Sequence, residues 1–153
     1  MAQINVNQRY RIRRSAEHEK AMKHLIAMKL FQTYGQIMVV SAIIGYKNNA
    51  FDDHFQAAND PVLMNQFNSK AYDIINFLAF AKEKKQSILK DYDQDEEREG
   101  LDIYAKYHIF EGYANGGFPI LLDKLGIDIN NLEEFDQLEL LRKYYRLLVC
   151  NDF

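Results

Sequence analysis

The first regular pattern along the chain is an alternation of basic and apolar residues. Arg9, Arg11 and Arg13 fall on one side, and Tyr10 and Ile12 fall on the other. A period of two residues is typical of a β-strand whose two faces meet different surroundings. We therefore predict a short strand with a cationic face near the start of the chain.

Two helices are predicted directly after this strand. Ser15 is a suitable N-cap, and the apolar residues from Met22 to Met28 predict a helix of about four turns that ends near residues 30–32. Thr33-Tyr34-Gly35-Gln36 has the T-x-x-Q form of a capping box and predicts the start of the second helix. The body of that helix, residues 37–44, is apolar on nearly every face. Such a helix must be buried on all sides, in a large core or against another subunit.

The remainder of the chain predicts further helices separated by loops. Helical periods cover residues 71–84 and about 96–114, and Asn115-Gly116-Gly117 predicts a C-cap for the second of these. Pro119 predicts the first position of a short helix that reaches residue 125. Residues 51–67 are expected to form a connecting loop.

The last helix is predicted from a second capping-box pattern that starts at Asn131. Its core face is expected to contain Phe135, Leu138, Leu141 or Arg142, Tyr145 and Leu148. The predicted fold class is therefore mainly α: one N-terminal basic strand followed by five or six helices.

Length and composition indicate one globular domain over residues 1–153. The 153 residues are 48% apolar and 27% charged, which is ordinary for a folded domain. The single cysteine, Cys150, and the lack of a secretory pattern favour the cytoplasm. The longest apolar stretch is far shorter than the ~20 residues that span a bilayer, so we expect no membrane segment.

The net charge of −3 conceals an uneven distribution. Residues 1–47 hold eight Lys and Arg against two acids, a balance of +6, whereas the rest of the chain holds 11 against 20, a balance of −9. We therefore distinguish a strand-helix-helix module, residues 8–48, from an acidic helical body, residues 70–150. A cationic front segment indicates an anionic partner such as nucleic acid.

Sequence motifs for catalysis are not found. The chain has no Walker loop, no dinucleotide-binding glycine pattern, no nucleophile elbow and no H-E-x-x-H. His108 and Glu111 lie one turn apart and could form half of a carboxylate-type metal site, but the second Glu-x-x-His that such a site needs is missing. We predict a protein that is not an enzyme and that has no cofactor and no metal.

The strand-helix-helix order is that of the ribbon-helix-helix DNA-binding module, in which two subunits pair their strands. The predicted DNA-binding residues are Arg9, Arg11, Arg13 and Arg14 on the strand, and Thr33, Tyr34 and Gly35 at the start of the second helix. The arginines would contact base edges, and the helix amides would hold a phosphate. In the alternative, the strand is a basic edge and the second helix is the centre of a monomeric core.

Four segments also resemble a small accessory family of bacterial Dnd systems. They are Tyr10-Arg11-Ile12-Arg13-Arg14-Ser15, Phe31-Gln32-Thr33, Gly45-Tyr46-Lys47-Asn48-Asn49 and Glu111-Gly112-Tyr113-Ala114-Asn115-Gly116-Gly117. Dnd systems replace a non-bridging phosphate oxygen of DNA with sulphur and restrict DNA that lacks the mark. The resemblance implies a cytoplasmic bacterial protein in DNA modification and phage defence. It implies no reaction and no site residues.

Two functions follow as hypotheses. The first is a homodimeric DNA-binding accessory or regulatory protein of such a system, which uses the basic strand. The second is a non-catalytic adaptor that docks other proteins of the system, with the acidic segment around residues 91–102 placed against a basic partner.

Overall fold

A computed structural model describes residues 10–92, 100–132, 136–151 and 153. Within these ranges the helices are α1 (Glu19–Ala27), α2 (Tyr34–Lys47), α3 (Ser69–Glu83), α4 (Ala105–Lys124) and α5 (Gln137–Cys150). The strands are β1 (Arg11–Ile12) and β2 (Val62–Leu63). The mainly α class and the N-terminal strand are confirmed. No helix of this described part is long and apolar enough to cross a membrane.

β1 pairs with β2 of the same chain. The two strands are antiparallel, with Arg11 opposite Leu63 and Ile12 opposite Val62. Ile12 and Val62 are fully buried, so the inward face of β1 closes the core of its own chain. β2 lies in the segment that was expected to be a loop. The sequence did not predict this strand because two residues are too few to show an alternating pattern. The resemblance to a ribbon-helix-helix module is not confirmed.

α1 and α2 begin as the capping residues predict. Ser15 accepts a hydrogen bond from Glu17 N, and Thr33 accepts one from Gln36 N. The helix after Ser15 starts as a 3₁₀ turn and α1 ends at Ala27, earlier than predicted, because Lys29 takes a left-handed conformation with φ of 60°. Leu30 N then donates a hydrogen bond to Leu25 O, and this bond caps the C-terminal end of α1.

α4 is one continuous helix through residues predicted to break it. Asn115-Gly116-Gly117 and Pro119 all lie inside it, so the predicted C-cap and the separate short helix are wrong. Proline removes one helical hydrogen bond, but the burial of the adjacent Phe118 and of Leu121 outweighs that loss. The described residues 100–104, predicted to be helical, precede the helix.

Glycines in α2 and α4 bring these two helices into close contact. A Cβ on Gly117 would overlap the Ser41 carbonyl oxygen, and one on Gly45 would overlap the carbonyl of Tyr113. The backbones therefore touch where these glycines lie. This contact places α2 against α4 at the centre of the chain's own core, as the monomeric alternative predicted.

The predicted module and the acidic helical body share one core. Ile12 of β1, Ile37 of α2, Ile75 of α3, Phe110 of α4 and Leu147 of α5 all belong to a single hydrophobic cluster.

α5 differs from its prediction in both its start and its buried face. Its N-cap is Asp136, not Asn131, and the predicted core residue Phe135 lies outside the described residues. The other predicted core residues of this helix, Leu138, Leu141, Tyr145 and Leu148, are exposed. The face that packs on the core carries Leu140, Tyr144 and Leu147 instead.

Candidate functional site

Glu111 of α4 fixes the basic strand to the body of the protein. Its side chain is 1% exposed, and one carboxylate oxygen accepts hydrogen bonds from Arg13 N at 2.6 Å and from the Tyr10 hydroxyl at 2.8 Å. The other oxygen accepts from Nε and Nη2 of Arg13 at 3.1 and 2.9 Å. The bonds to Glu111 raise the pKa of Arg13, and burial raises the pKa of Tyr10. Arg13 is therefore a structural anchor whose outer surface stays half exposed.

Arg14 lies in the interior. The whole residue is 2% exposed, Nε donates to Asp60 O at 3.1 Å, and Nη2 donates to Glu19 at 3.3 Å. Its guanidinium also lies 4.1 Å from the centre of the Tyr34 ring. This arginine was predicted to face DNA, but in the structure it packs inward, because the alternation of exposed and buried residues continues past Arg13 and places Arg14 on the same side as Ile12.

The residues at the start of α2 contact other parts of the chain. Thr33 caps the helix, Tyr34 packs under Arg14, and Gly35 is buried against Gln66. The Gln36 side chain accepts a hydrogen bond from Gln32 N and folds over the first turn. These are the residues predicted to hold a phosphate, and the contacts that they make here join α2 to the neighbouring segments.

Arg11 is the predicted DNA contact that faces solvent. It is exposed on β1 and has no ion pair with any residue that the structure describes. Arg9 lies outside the described residues. The structure thus separates the predicted set into the exposed Arg11, the anchor Arg13 and the interior Arg14.

The His108–Glu111 pair does not come together as half of a metal site. Glu111 binds Tyr10 and Arg13, and His108 Nδ1 lies 2.7 Å from Asp102 Oδ2. In the described ranges no group of three or more His, Cys, Asp or Glu is placed to hold a metal ion. Cys150, at the end of α5, is an exposed thiol.

A cavity of about 350 Å³ lies between the first halves of α2 and α3, and its lining is mixed: apolar side chains surround it together with Gln36, Gln66, Asn68 and Lys70. We call it the α2 cavity. Its apolar lining comes from three helices and one loop residue: Val39 and Val40 of α2, Ile74 of α3, Tyr144 of α5, and Phe67, which precedes α3. Val39, Val40 and Ile43 are only half-buried and share one side of α2, the side not used against α4. α2 therefore has two apolar faces. One packs against α4, and the other is only partly covered by the described residues.

α5 and the residues after it contact the chain near both ends of α2. The first residue of α5, Gln137, donates a side-chain hydrogen bond to Met28 O just before α2. Tyr144 lies 5.0 Å from Phe31, measured between ring centres, and Phe153 lies 5.9 Å from Lys47 Nζ at the far end of α2. α5 therefore forms one wall beside the α2 cavity.

The outward face of α5 is a continuous apolar stripe. We call its members the outer stripe: Leu138, Leu141, Tyr145, Leu148 and Val149. Tyr145 is 66% exposed and Val149 is 63% exposed. Leu141 lies three residues before Tyr144, and Leu148 lies four residues after it. Both are therefore neighbours of Tyr144 on the helix surface. The outer stripe is therefore continuous with the α2 cavity.

The polar edge of the outer stripe is cationic. At about 100° per residue, Arg142 and Arg146 follow Val149 around the helix. Neither arginine has an ion pair with a residue in the described part of the chain, whereas Lys143 pairs with Glu139 at 3.5 Å. The outer stripe thus combines exposed apolar side chains with two arginines that form no ion pair with a described residue.

Sequence reasoning missed this surface although its signal was visible. The spacing Leu138, Leu141, Tyr145, Leu148 is the strongest helical pattern in the last segment, and it was assigned to the core. A pattern of positions cannot say which of two apolar faces of a helix meets the chain's own core.

Comparison with known proteins identifies the family. Residues 11–145 match the family model described as DNA sulphur modification system-associated protein 4, and this chain belongs to that family. The family connects the protein with a DNA sulphur modification system, as the four resembling segments implied. No curated protein and no solved structure matches the chain.

Proposed function

We propose that this protein is a non-catalytic adaptor that docks another protein of a DNA sulphur modification system through α5. The observation that carries the proposal is the outer stripe, which leaves Leu138, Leu141, Tyr145 and Leu148 exposed on a helix whose other apolar face is buried. Contiguous exposed apolar patches rimmed by polar residues are typical of protein-binding surfaces. The family assignment supplies the system in which the partner is sought.

The adaptor surface proposed here differs from the one predicted from sequence. Most of the acidic segment around residues 91–102 lies outside the described residues. Of its described acids, Asp91 pairs with the buried Lys106, and Asp102 pairs with His108. Both contacts are internal to the chain, and the outer stripe is the feature that supports the proposal.

The test is co-purification with the other proteins of the same system, expressed together from their natural gene neighbourhood. A tagged wild-type chain is expected to retain one of them through a wash at moderate salt. Leu141→Asp is expected to lose that protein, because a carboxylate cannot be buried in an apolar contact without a partner. Retention of the same protein by Leu141→Asp, or no retained protein with the wild type, would overturn the proposal.

The matched control is Ile129→Asp. Ile129 and Leu141 are both 40% exposed, so the two substitutions make the same change in charge on equally accessible apolar side chains. Ile129 lies beside Glu17 and Lys20, apart from the α2 cavity. Ile129→Asp is expected to retain the partner, and the two variants should unfold at similar temperatures.

A second candidate function is contact with DNA through β1. Arg11 and Arg13 lie on the outer side of the strand, and Arg11 is free to meet a phosphate. Phosphate contacts supply affinity without sequence preference. This form of DNA binding needs no pairing of strands between subunits, and the homodimer predicted from the ribbon stays a prediction.

The DNA candidate is tested by fluorescence anisotropy with a labelled duplex over a range of salt concentrations. Arg11→Ala is expected to weaken binding and to make it less dependent on salt, since one phosphate contact is lost. Arg13 is unsuitable for this test, because its removal would leave Glu111 with fewer partners inside the protein. Equal binding by wild type, Arg11→Ala and the exposed control Lys29→Ala would reject a role for the strand.

A further inference from the structure

We propose that the docked element is an amphipathic helix of a partner protein, with leucine-like residues on one face and acidic residues along the edge of that face. This inference rests on the proposed adaptor function and specifies its partner. It is supported by the shape of the surface, by its charge, and by the repulsion expected if α5 packed against α5 of a second copy.

The shape of the surface fits a helix laid beside α5. The exposed residues Leu138, Leu141, Tyr145 and Leu148 have spacings of three, four and three residues. This spacing makes a straight stripe along a helix and is the pattern by which two helices pack side by side. α5 has 14 residues, and the outer stripe covers 12 of them, so the stripe is about 17 Å long and meets about three turns of a partner helix.

The α2 cavity supplies an anchoring point next to the stripe. Its apolar lining includes Val39, Val40 and Ile74, and Tyr144 joins it to the outer stripe. Helices that bind in grooves insert large apolar side chains at i, i+3, i+4 and i+7. We expect one such side chain to enter the α2 cavity while its neighbours cover Leu141 and Leu148.

The charge of the surface selects an acidic edge on the partner. Arg142 and Arg146 border the outer stripe one turn apart, and neither has an ion pair with a described residue. Glu or Asp residues spaced by three or four positions on the docked helix would meet both arginines. Charges at the rim of an interface raise the association rate and discriminate between partners.

A second copy of this chain fits the surface less well. In a two-fold antiparallel pair of helices, the same flank of each helix faces the other. Arg142 and Arg146 would then lie on the same flank of the pair as their own copies, and like charges brought close together are destabilising. The cationic edge therefore favours a different protein over self-association.

The first test is site-specific photo-cross-linking in the co-expressed system. Tyr145→p-benzoylphenylalanine places a cross-linker of nearly the same shape on the outer stripe, and Ile129→p-benzoylphenylalanine is the control. The expected result is a cross-link from position 145 alone, which mass spectrometry maps to a partner segment with a helical apolar period and flanking acids. A cross-link to a second copy of the chain, to a segment without that pattern, or to nothing at all would overturn the inference.

The second test reverses the charge of the edge. Arg142→Glu with Arg146→Glu is expected to weaken the partner's binding about tenfold at low salt, and less at high salt. Lysine substitution of the partner's cross-linked acids should restore the affinity. If Leu141→Asp removes the partner but charge reversal leaves its affinity unchanged, the adaptor function stands and the acidic helix is wrong. If neither variant alters binding, both are wrong.

Discussion

The backbone amide of Arg13 donates to the carboxylate of Glu111 at 2.6 Å, and the side chain of the same arginine binds the other carboxylate oxygen. One buried acid on α4 thereby satisfies both the main chain and the side chain of the N-terminal segment. One of the four arginines predicted to contact DNA therefore holds the fold together.

Glu111→Gln should destabilise the protein. The amide keeps the shape but loses the negative charge, and it can no longer accept charge-assisted bonds from Arg13 and Tyr10. We expect the free energy of unfolding to fall by about 1–3 kcal/mol, measured by urea denaturation. Glu139→Gln is the control, since its pair with Lys143 is an exposed contact worth less than about 0.5 kcal/mol. Equal losses in the two variants would contradict the anchoring role.

Arg14→Ala and Arg11→Ala should separate a structural arginine from a solvent-facing one. Arg14→Ala removes the contact with Tyr34 and the bonds to Asp60 O and Glu19. We expect it to lower the free energy of unfolding by at least about 2 kcal/mol. Arg11→Ala should change it by less than about 0.5 kcal/mol. A stable Arg14→Ala variant with weakened DNA binding would restore the prediction made from sequence.

Gly117→Ala should disrupt the contact between α2 and α4. The new Cβ would overlap the Ser41 carbonyl oxygen, a backbone atom that cannot rotate away. We expect the free energy of unfolding to fall by at least about 2 kcal/mol, with a lower Tm in a thermal melt.

Gly35→Ala is the matched control for that substitution. Its Cβ would lie 3.3 Å from Gln66 O and 3.5 Å from Phe67, which small adjustments can relieve. Alanine also favours helix by about 0.5–1 kcal/mol, so we expect a net change within about 1 kcal/mol. A similar loss at both glycines would show that close helix contact is not the reason for Gly117.

His18 should make stability fall as the pH drops below neutral. Burial lowers the pKa of His18 below its ordinary value, and its ring packs 4.7 Å from that of Phe118, measured between centres. The unfolded chain then binds a proton more readily than the folded one, so protonation favours unfolding. The effect is absent well above pH ~6.5, the ordinary histidine value, and grows as the pH falls below it.

The measurement for His18 is urea denaturation at pH 7.5 and pH 5.5. His18→Gln should reduce the loss of stability between these two values, because glutamine does not titrate. His54→Gln, at a fully exposed position, should leave that loss as it is in the wild type. An unchanged pH dependence in His18→Gln would contradict the assignment.

Local signals in the sequence predicted much of the fold. Ser15 and Thr33 cap their helices as expected, and the alternation around Ile12 identified a strand with one buried face. Each of these depends on neighbours within a few residues. The helix end predicted at Gly117 failed because the role of that glycine depends on its contact with α2, which is distant in sequence.

The candidate site was harder to predict for a similar reason. Arg11, Arg13 and Arg14 look alike in sequence, and only their partners Glu111 and Tyr34 distinguish an anchor and an interior residue from an exposed one. The outer stripe was detected as a helical pattern but was placed in the core, since periodicity does not distinguish a chain's own core from the surface of a partner.

Whether α5 is a docking surface is decided by the affinity of the co-purified partner for three purified chains. The wild type, Leu141→Asp and Ile129→Asp are titrated under the same conditions, and the two substitutions are matched in exposure and charge. We expect the Kd to be at least about 30-fold weaker for Leu141→Asp, which is the loss typical of a residue at the centre of an interface, and to be unchanged for Ile129→Asp. Equal affinity for all three chains would contradict it.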